Sequence, residues 1–191
     1  MFSLPAYNPS VPFMAFIPGG LAHGSRVRIR GVMPNAADRF TVDLQCGDTY
    51  MQHDIALHLS VRPTEGVLVR NSYEFNAWGA EERIRACPIY FAQPFDLEIH
   101  IEYTRYSIKV NGQHYCDFNH RFSLSRVTHI RIGGDTILYY VGTEGAHHGE
   151  YVPPPFAETY PPPPDGYFAG YPPPPHHHHH HHHRPPYEYY D

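Results

Sequence analysis

The chain has 191 residues, of which 41% are hydrophobic and 17% charged, and its formal net charge is −5 with histidine neutral. This length suits one domain with a tail or two very small domains. The negative charge argues against a nucleic-acid surface, and the lack of any apolar stretch of about 18 residues excludes a membrane-spanning helix.

Apolar and polar residues alternate along five short segments, as expected for strands with one buried face. In chain order the segments are residues 39–45, 54–62, 94–102, 106–110 and 130–132. The fourth ends at Asn111-Gly112, a strong signal for a two-residue hairpin turn. No window of comparable length has the 3.6-residue period of a helix. The sequence therefore predicts an all-β sandwich or barrel of antiparallel strands.

The segment 54–62 carries the most informative polar residues. Strict alternation turns Ile55, Leu57, Leu59 and Val61 toward the core and Ala56, His58, Ser60 and Arg62 outward. Downstream lie Asn71, the single tryptophan Trp78, and Glu81 and Arg83 one pleat apart. Such residues are often an ordinary solvated face, an ion pair and a core tryptophan. Together they also suit a neutral sugar, because planar donors and acceptors match its hydroxyls and an aromatic ring covers its C–H face.

The sequence resembles the galectin family over residues 12–141. The resemblance rests on PFMAFIPGGL from Pro12, Arg39-Phe40, residues 54–58, Val69-Arg70-Asn71-Ser72, residues 78–83, Pro94-Phe95, residues 110–112, Phe118-Asn119-His120-Arg121 and Gly134-Asp135. The family motif is H-x-N-x-R, V-x-N and W-x-x-E-x-R.

The resemblance implies a jelly-roll sandwich of two antiparallel sheets, with a β-galactoside lying across one sheet and no enzymatic activity. His58 and Arg62 would bind the axial O4 of galactose, and Asn71 would bind its O6 hydroxyl. Trp78 would stack on the apolar face of the ring. Glu81 and Arg83 would contact the adjoining glucose or N-acetylglucosamine.

Ser60 departs from the family pattern, which has Asn at this position, and Val61 replaces the usual Pro. The serine hydroxyl is shorter than an amide and reaches O4 poorly or through water. The loss of one hydrogen bond lowers affinity by roughly threefold to tenfold. The sequence leaves open an alternative, a galectin-fold protein with weakened or altered sugar specificity that acts through protein–protein contacts.

The resemblance, together with a break in composition near residue 150, implies an arm (residues 1–11), a carbohydrate-recognition domain (12–145) and a tail (146–191). Residues 151–191 contain 13 prolines, 7 tyrosines and 8 consecutive histidines. This composition predicts a disordered, low-complexity tail with polyproline II runs. Because the chain starts without a basic segment ahead of an apolar one, we expect a cytoplasmic protein for which leaderless export is the route outward.

Cofactors and metals are not expected in the domain. Cys46, Cys87 and Cys116 are odd in number and lack C-x-x-C spacing, which indicates reduced thiols. The imidazoles of the tail will bind zinc or nickel without specificity. They belong to His176, His177, His178, His179, His180, His181, His182 and His183.

The composition of the tail predicts that the chain self-associates in a way that responds to zinc and to acid. Zinc bridges neutral imidazoles of neighbouring chains near pH 7.5, whereas protonation near pH 5 makes the tails repel each other. We expect zinc to strengthen self-association at neutral pH and acid to weaken it. Sedimentation of the full chain and of a chain lacking residues 151–191 measures this response. Identical behaviour of the two chains would contradict it, and the deletion is expected to leave lactose affinity unchanged.

Overall fold

A computed structural model of the chain describes residues 3–145, so the predicted tail and its histidine run lie outside the described residues. Thirteen strands and two short 3₁₀ turns, Pro63–Glu65 and Leu124–Arg126, are found there. The strands are β1 (Ala6–Tyr7), β2 (Phe13–Phe16), β3 (Arg26–Val32), β4 (Phe40–Gln45), β5 (Ile55–Arg62), β6 (Val67–Glu74), β7 (Ala77–Trp78), β8 (Glu82–Arg85), β9 (Pro94–Ile101), β10 (Arg105–Val110), β11 (Gln113–Asn119), β12 (His129–Gly134) and β13 (Ile137–Glu144).

The strands form two antiparallel sheets. The six-stranded sheet has the order β1-β13-β3-β9-β10-β11. The seven-stranded sheet has the order β2-β12-β4-β5-β6-β7, and β8 also pairs with β6. The predicted all-β class, with two antiparallel sheets, is confirmed. In the seven-stranded sheet β4, β5, β6 and β7 follow one another along the chain, whereas β12 joins β2 and β4 from far along the sequence.

All five predicted strand segments are strands in the structure, with ends that differ by one or two residues. The Asn111-Gly112 turn joins β10 to β11, and its two residues have φ angles of 50° and 79°. Positive φ at both positions is the conformation that a two-residue hairpin of this kind requires. The local turn chemistry therefore predicted the hairpin correctly.

The predicted alternation along β5 is wrong at its start. Ile55 pairs with Gln45 and Tyr73, while Leu57 pairs with Leu44 and His58 with Asn71. Ala56 is thus an extra residue, a β-bulge, and such an insertion shifts the side-chain phase by one. Ala56 packs in the core, whereas Ile55, although buried, shares the outer face with its strand partners. From Leu57 onward the prediction holds.

The core fills the space between the two sheets with apolar side chains from their inner faces. Phe40 of β4 stacks on Phe95 of β9 with ring centroids 5.2 Å apart, which joins the sheets directly. Phe40 is fully buried and Phe95 nearly so. Aromatic pairs of this kind contribute large buried area together with a preferred geometry.

The outer face of the six-stranded sheet carries charged side chains that pair across strands. Asp96 accepts from Arg28 Nη2 at 2.5 Å and from Arg30 Nε at 3.3 Å. Burial tends to raise the pKa of Asp96, but the two arginines outweigh burial and hold it below its usual value. This face is therefore a balanced ionic surface.

Other expectations concern the termini, the membrane and the thiols. β1 pairs with β13 inside the six-stranded sheet, and the domain boundaries at residues 11 and 145 stay predictions. Within residues 3–145 the longest helical segments have three residues, so none could cross a membrane. The three cysteines are free, and burial raises the pKa of Cys116 to about 11.

Replacing Phe40 tests the link between the sheets. Phe40→Ala leaves a cavity and removes the stack on Phe95, so we expect a loss of about 3–5 kcal/mol in the free energy of unfolding. Phe75→Ala is the control, because Phe75 is 83% exposed and exposed sites usually change stability by less than about 0.5 kcal/mol. Urea unfolding of both variants measures the difference. Equal losses would contradict the assignment of Phe40 to the core.

Candidate functional site

The outer face of the seven-stranded sheet holds two aligned rows of side chains. The first row runs through Arg131, Asp43, His58 and Asn71 on β12, β4, β5 and β6. The second row runs through Gly133, Thr41, Ser60, Val69 and Arg83 on β12, β4, β5, β6 and β8. Directly paired residues point to the same face of a sheet. All of these positions therefore lie on one surface, the groove face.

The seven residues proposed from the sequence all lie on the groove face or at its edge, but they differ in exposure. Trp78, Glu81 and Arg83 have well-exposed side chains, and those of His58 and Arg62 are partly exposed. Ser60 and Asn71 are buried, with 1% and 5% of their surface exposed. The first five expose side-chain surface to the groove, whereas Ser60 and Asn71 lie at its floor with little exposed surface.

His58 is oriented by a buried carboxylate that sequence reasoning missed. Its Nδ1 lies 2.5 Å from Oδ1 of Asp43, which is fully buried, and Oδ2 of Asp43 accepts from Arg131 Nη1 at 3.1 Å. A carboxylate only accepts hydrogen bonds, so Nδ1 of His58 carries the hydrogen. In the neutral ring Nε2 is then an acceptor. The groove thus has a fixed imidazole acceptor.

Arginines and carboxylates continue in a chain along the edge of the groove. Arg62 Nε donates to Ser60 Oγ at 3.0 Å, and its Nη1 lies 3.6 Å from Glu65. The other oxygen of Glu65 lies 3.9 Å from Arg83, whose Nε donates to Glu81. Exposed pairs of this kind add little stability. Their effect here is to hold two guanidinium groups in defined directions.

Asn71 fastens the edge of the sheet as well as lining the groove. Its Oδ1 accepts from Ser72 N at 2.8 Å and Arg121 Nη1 at 3.0 Å, and its Nδ2 donates to the Gly79 carbonyl at 3.1 Å. A Cβ at Gly79 would lie 2.5 Å from Arg121 Nη1, so a side chain at this position would displace the Arg121 guanidinium. Asn71 therefore has a structural role that the sequence did not reveal.

The adjacent residues Glu81 and Glu82 point to different sides. Glu81 pairs with Arg83 on the groove face. Glu82 accepts from Arg121 Nη2 at 3.2 Å and from the buried Arg70 at 3.4 Å. A pair of carboxylates sharing one cleft, as glycoside hydrolysis uses, is thus not formed by Glu81 and Glu82.

Trp78 supplies an exposed aromatic surface beside His58. It is 42% exposed, and its ring centroid lies 4.8 Å from that of His58 and 5.2 Å from that of Tyr73. The two-residue turn Phe75-Asn76 brings β7 back against β6, with φ angles of 53° and 61°. An aromatic ring next to oriented polar groups suits a ligand with both hydroxyls and C–H surface.

Three further residues contribute to the geometry without appearing in the sequence-based set. They are Asp43, Glu65 and Arg121. Asp43 could have been suspected from its outward place in an alternating strand, and Arg121 from its place in the Phe118–Arg121 run. Nothing in the sequence pattern marked Glu65 as a site residue. Within residues 3–145, no group of three or more His, Cys, Asp or Glu side chains is arranged to hold a metal.

Comparison with known proteins gives a consistent set of matches. A family model described as galactoside-binding lectin matches residues 12–143. Galectin-4 of Bos taurus is 40% identical over 72% of this chain and 41% of its own length. Human galectin-7 is 37% identical over 68% of this chain and 94% of its own length. A solved structure of a human galectin-16 variant has a TM-score of 0.68 and 30% identity over 74% of this chain and all of that chain.

Coverage differs between these relatives. The chain spans about two fifths of the length of bovine galectin-4 and nearly all of galectin-7 is matched. The likeness therefore concerns one domain, residues 12–143.

Proposed function

The chain belongs to the galectin family of non-enzymatic carbohydrate-binding lectins, and from this we propose that it binds β-galactosides of the lactose or N-acetyllactosamine type on the groove face. The observation that carries the proposal is the exposed ring of Trp78 beside the oriented imidazole of His58. One stacking surface and one fixed acceptor meet the two needs of a sugar ring, which are C–H contact and hydrogen bonding.

The axial O4 hydroxyl of galactose is the atom that selects the sugar. We assign it to His58 and Arg62, where Nε2 of His58 accepts its hydrogen and the Arg62 guanidinium donates to its oxygen and to the ring oxygen. Glucose directs this hydroxyl elsewhere, which would leave both groups without this partner beneath the sugar. Sites built on hydrogen bonds reject such analogues strongly. The Asp43 contact to His58 supports this assignment.

The remaining residues serve the rest of a disaccharide. Asn71 has an Nδ2 that already donates to Gly79, and its second hydrogen is assigned to O6. Glu81 and Arg83, held together at the exposed edge, are assigned to the adjoining glucose or N-acetylglucosamine. Glycans of glycoproteins or glycolipids are the partners that this chemistry favours. Multivalency through the tail or through domain pairing is part of the proposal and rests on the sequence.

Ser60 is assigned a positioning role. Its Oγ accepts from Arg62 Nε at 3.0 Å, and the residue is only 1% exposed. An asparagine here would accept from Arg62 and still offer an amide hydrogen to the ligand. The serine thus keeps Arg62 in place while giving up one contact, which favours weaker binding over loss of binding.

Removing the Trp78 ring tests the stacking role. Trp78→Ala is expected to abolish detectable lactose binding in calorimetry, because the C–H face loses its only assigned aromatic partner. The fold is expected to survive, since the ring is 42% exposed. Phe75→Ala, another exposed aromatic on the same hairpin, serves as the control and should bind normally. Because Trp78 is the single tryptophan, unchanged emission of the native protein at saturating lactose would refute stacking.

Restoring the amide at position 60 tests the cause of weak binding. We expect Ser60→Asn to raise lactose affinity by roughly threefold to tenfold, the value of one recovered hydrogen bond. Ser60→Ala, which removes the acceptor of Arg62 Nε, is the matched variant and should lower affinity. If Ser60→Asn gains nothing, the groove has adapted to serine. If no lactose-competable binding to a glycan array is found at all, the protein–protein alternative replaces the proposal.

A further inference from the structure

Arg70 is a buried cation that leaves most of its hydrogen-bonding capacity unused. It pairs with Leu59 of β5, which is fully buried, so its side chain points into the sandwich. Only 7% of Arg70 is exposed. Its Nη2 lies 3.4 Å from Oε2 of Glu82, whereas Nε and Nη1 are buried and have no hydrogen-bond partner among residues 3–145. Buried polar groups almost always have a partner, so these donors indicate a missing acceptor.

The charge of Arg70 is only partly balanced, because Glu82 serves two arginines. Oε1 of Glu82 accepts from Arg121 Nη2 at 3.2 Å, and the Glu82 side chain is 44% exposed. Two guanidinium groups thus share one carboxylate in this cluster. Burying an unbalanced charge costs stability. The missing acceptor is therefore expected to carry a negative charge.

The other acid near Arg70 is engaged elsewhere. Asp117 lies on β11 and accepts from His114 at 2.9 Å, and its second oxygen lies 3.4 Å from Arg105. It pairs with Ser107 on the outer face of the six-stranded sheet, one residue out of phase with the inward-facing Cys116. Asp117 therefore does not supply the missing charge.

Cys116 forms the opposite wall of this site. It pairs with the fully buried Ile108, so its side chain points inward from β11, the edge strand of the six-stranded sheet. Burial raises the pKa of its thiol to about 11, although the nearby charge of Arg70 acts to lower it. The thiol therefore stays neutral at physiological pH. Since thiol sulfur is only a weak acceptor, it does not satisfy the Arg70 donors.

We propose that a chloride ion binds to the Arg70 guanidinium at the edge of the sandwich, between β6, β8 and β11. The ion accepts from a free N–H of Arg70 and balances the excess charge, and a water molecule completes the remaining donor. A halide suits this position because it is small and accepts hydrogen bonds without a fixed direction. The edge site is defined by Arg70, Glu82, Cys116 and Arg121, and it does not depend on sugar binding.

Thermal unfolding of the full chain in mixtures of sodium chloride and sodium gluconate tests the proposal. Total sodium is held constant near about pH 8, where the imidazoles of the tail are neutral, and gluconate is too large to replace a buried chloride. We expect the unfolding midpoint to rise with the chloride fraction and to level off after about 3–6 °C. The reason is that an ion bound only by the folded state stabilises that state.

Arginine variants assign the response to one guanidinium. Arg70→Met keeps the apolar stem, removes the charge and should remove the chloride response. Arg85→Gln removes a charge from an exposed position of the same edge and is the matched control, which should respond like the native chain. Comparing chloride with gluconate within each variant, and then between variants, cancels the general effect of each salt.

Cysteine variants test the site from its other wall. Cys116→Asp places a carboxylate beside Arg70, so it should remove the chloride response and unfold at a higher temperature in gluconate than Cys116→Ser. Cys116→Ser adds no charge and should keep the response. This pair decides the question even if Arg70→Met does not fold.

A saturating response that Arg70→Met and Cys116→Asp lose and that both controls keep supports the chloride site. Equal midpoints at every chloride fraction overturn it, because the free donors then bind water alone. A response that survives in Arg70→Met or in Cys116→Asp also overturns it, because the effect of chloride then arises elsewhere on the chain.

Discussion

A single buried carboxylate fixes the geometry of the groove face. Moving such a charge out of water costs several kcal/mol unless it is paired and hydrogen-bonded, and Asp43 has no exposed surface. One of its oxygens faces His58 on β5 and the other faces Arg131 on β12. Because β4 lies between these strands, satisfying Asp43 orients an imidazole on one side and a guanidinium on the other. The directions of both side chains thus depend on one desolvated group.

The fold was predictable where the signals are local. The alternation of apolar and polar side chains predicted the strands. The Asn111-Gly112 pair predicted its hairpin, and both residues have the positive φ that such a turn requires. The bulge at Ala56 was not predictable, because an extra residue is visible only once Ile55 and Leu57 have partners on β4. The Phe75-Asn76 turn was also missed. Phenylalanine rarely adopts a positive φ, so tertiary pairing of β6 and β7 overrides the local preference.

The site residues likewise divide into those that the sequence predicted and those that it did not. The sequence, through its resemblance, supplied seven residues, and the fold brings all of them to one sheet face or its edge. It did not supply Asp43, Glu65 or Arg121, whose contacts join residues of different strands and turns. Asp43 and His58 are 15 residues apart and Arg121 and Asn71 are 50 apart. An outward aspartate in an alternating strand is indistinguishable from a solvated one until the register across strands is known.

The hydrogen bonds of Asn71 have a consequence for how this lectin can diverge. The same amide that lines the groove also fastens Gly79 and Arg121 at the sheet edge. A substitution there changes ligand contact and loop position together, so natural variation at residue 71 is penalised twice. Arg83 lies on the exposed edge with its side chain 54% accessible, and it does not fasten the Gly79 loop. We therefore expect new glycan preferences to arise more readily through substitutions at the rim of the groove than through substitutions at its floor.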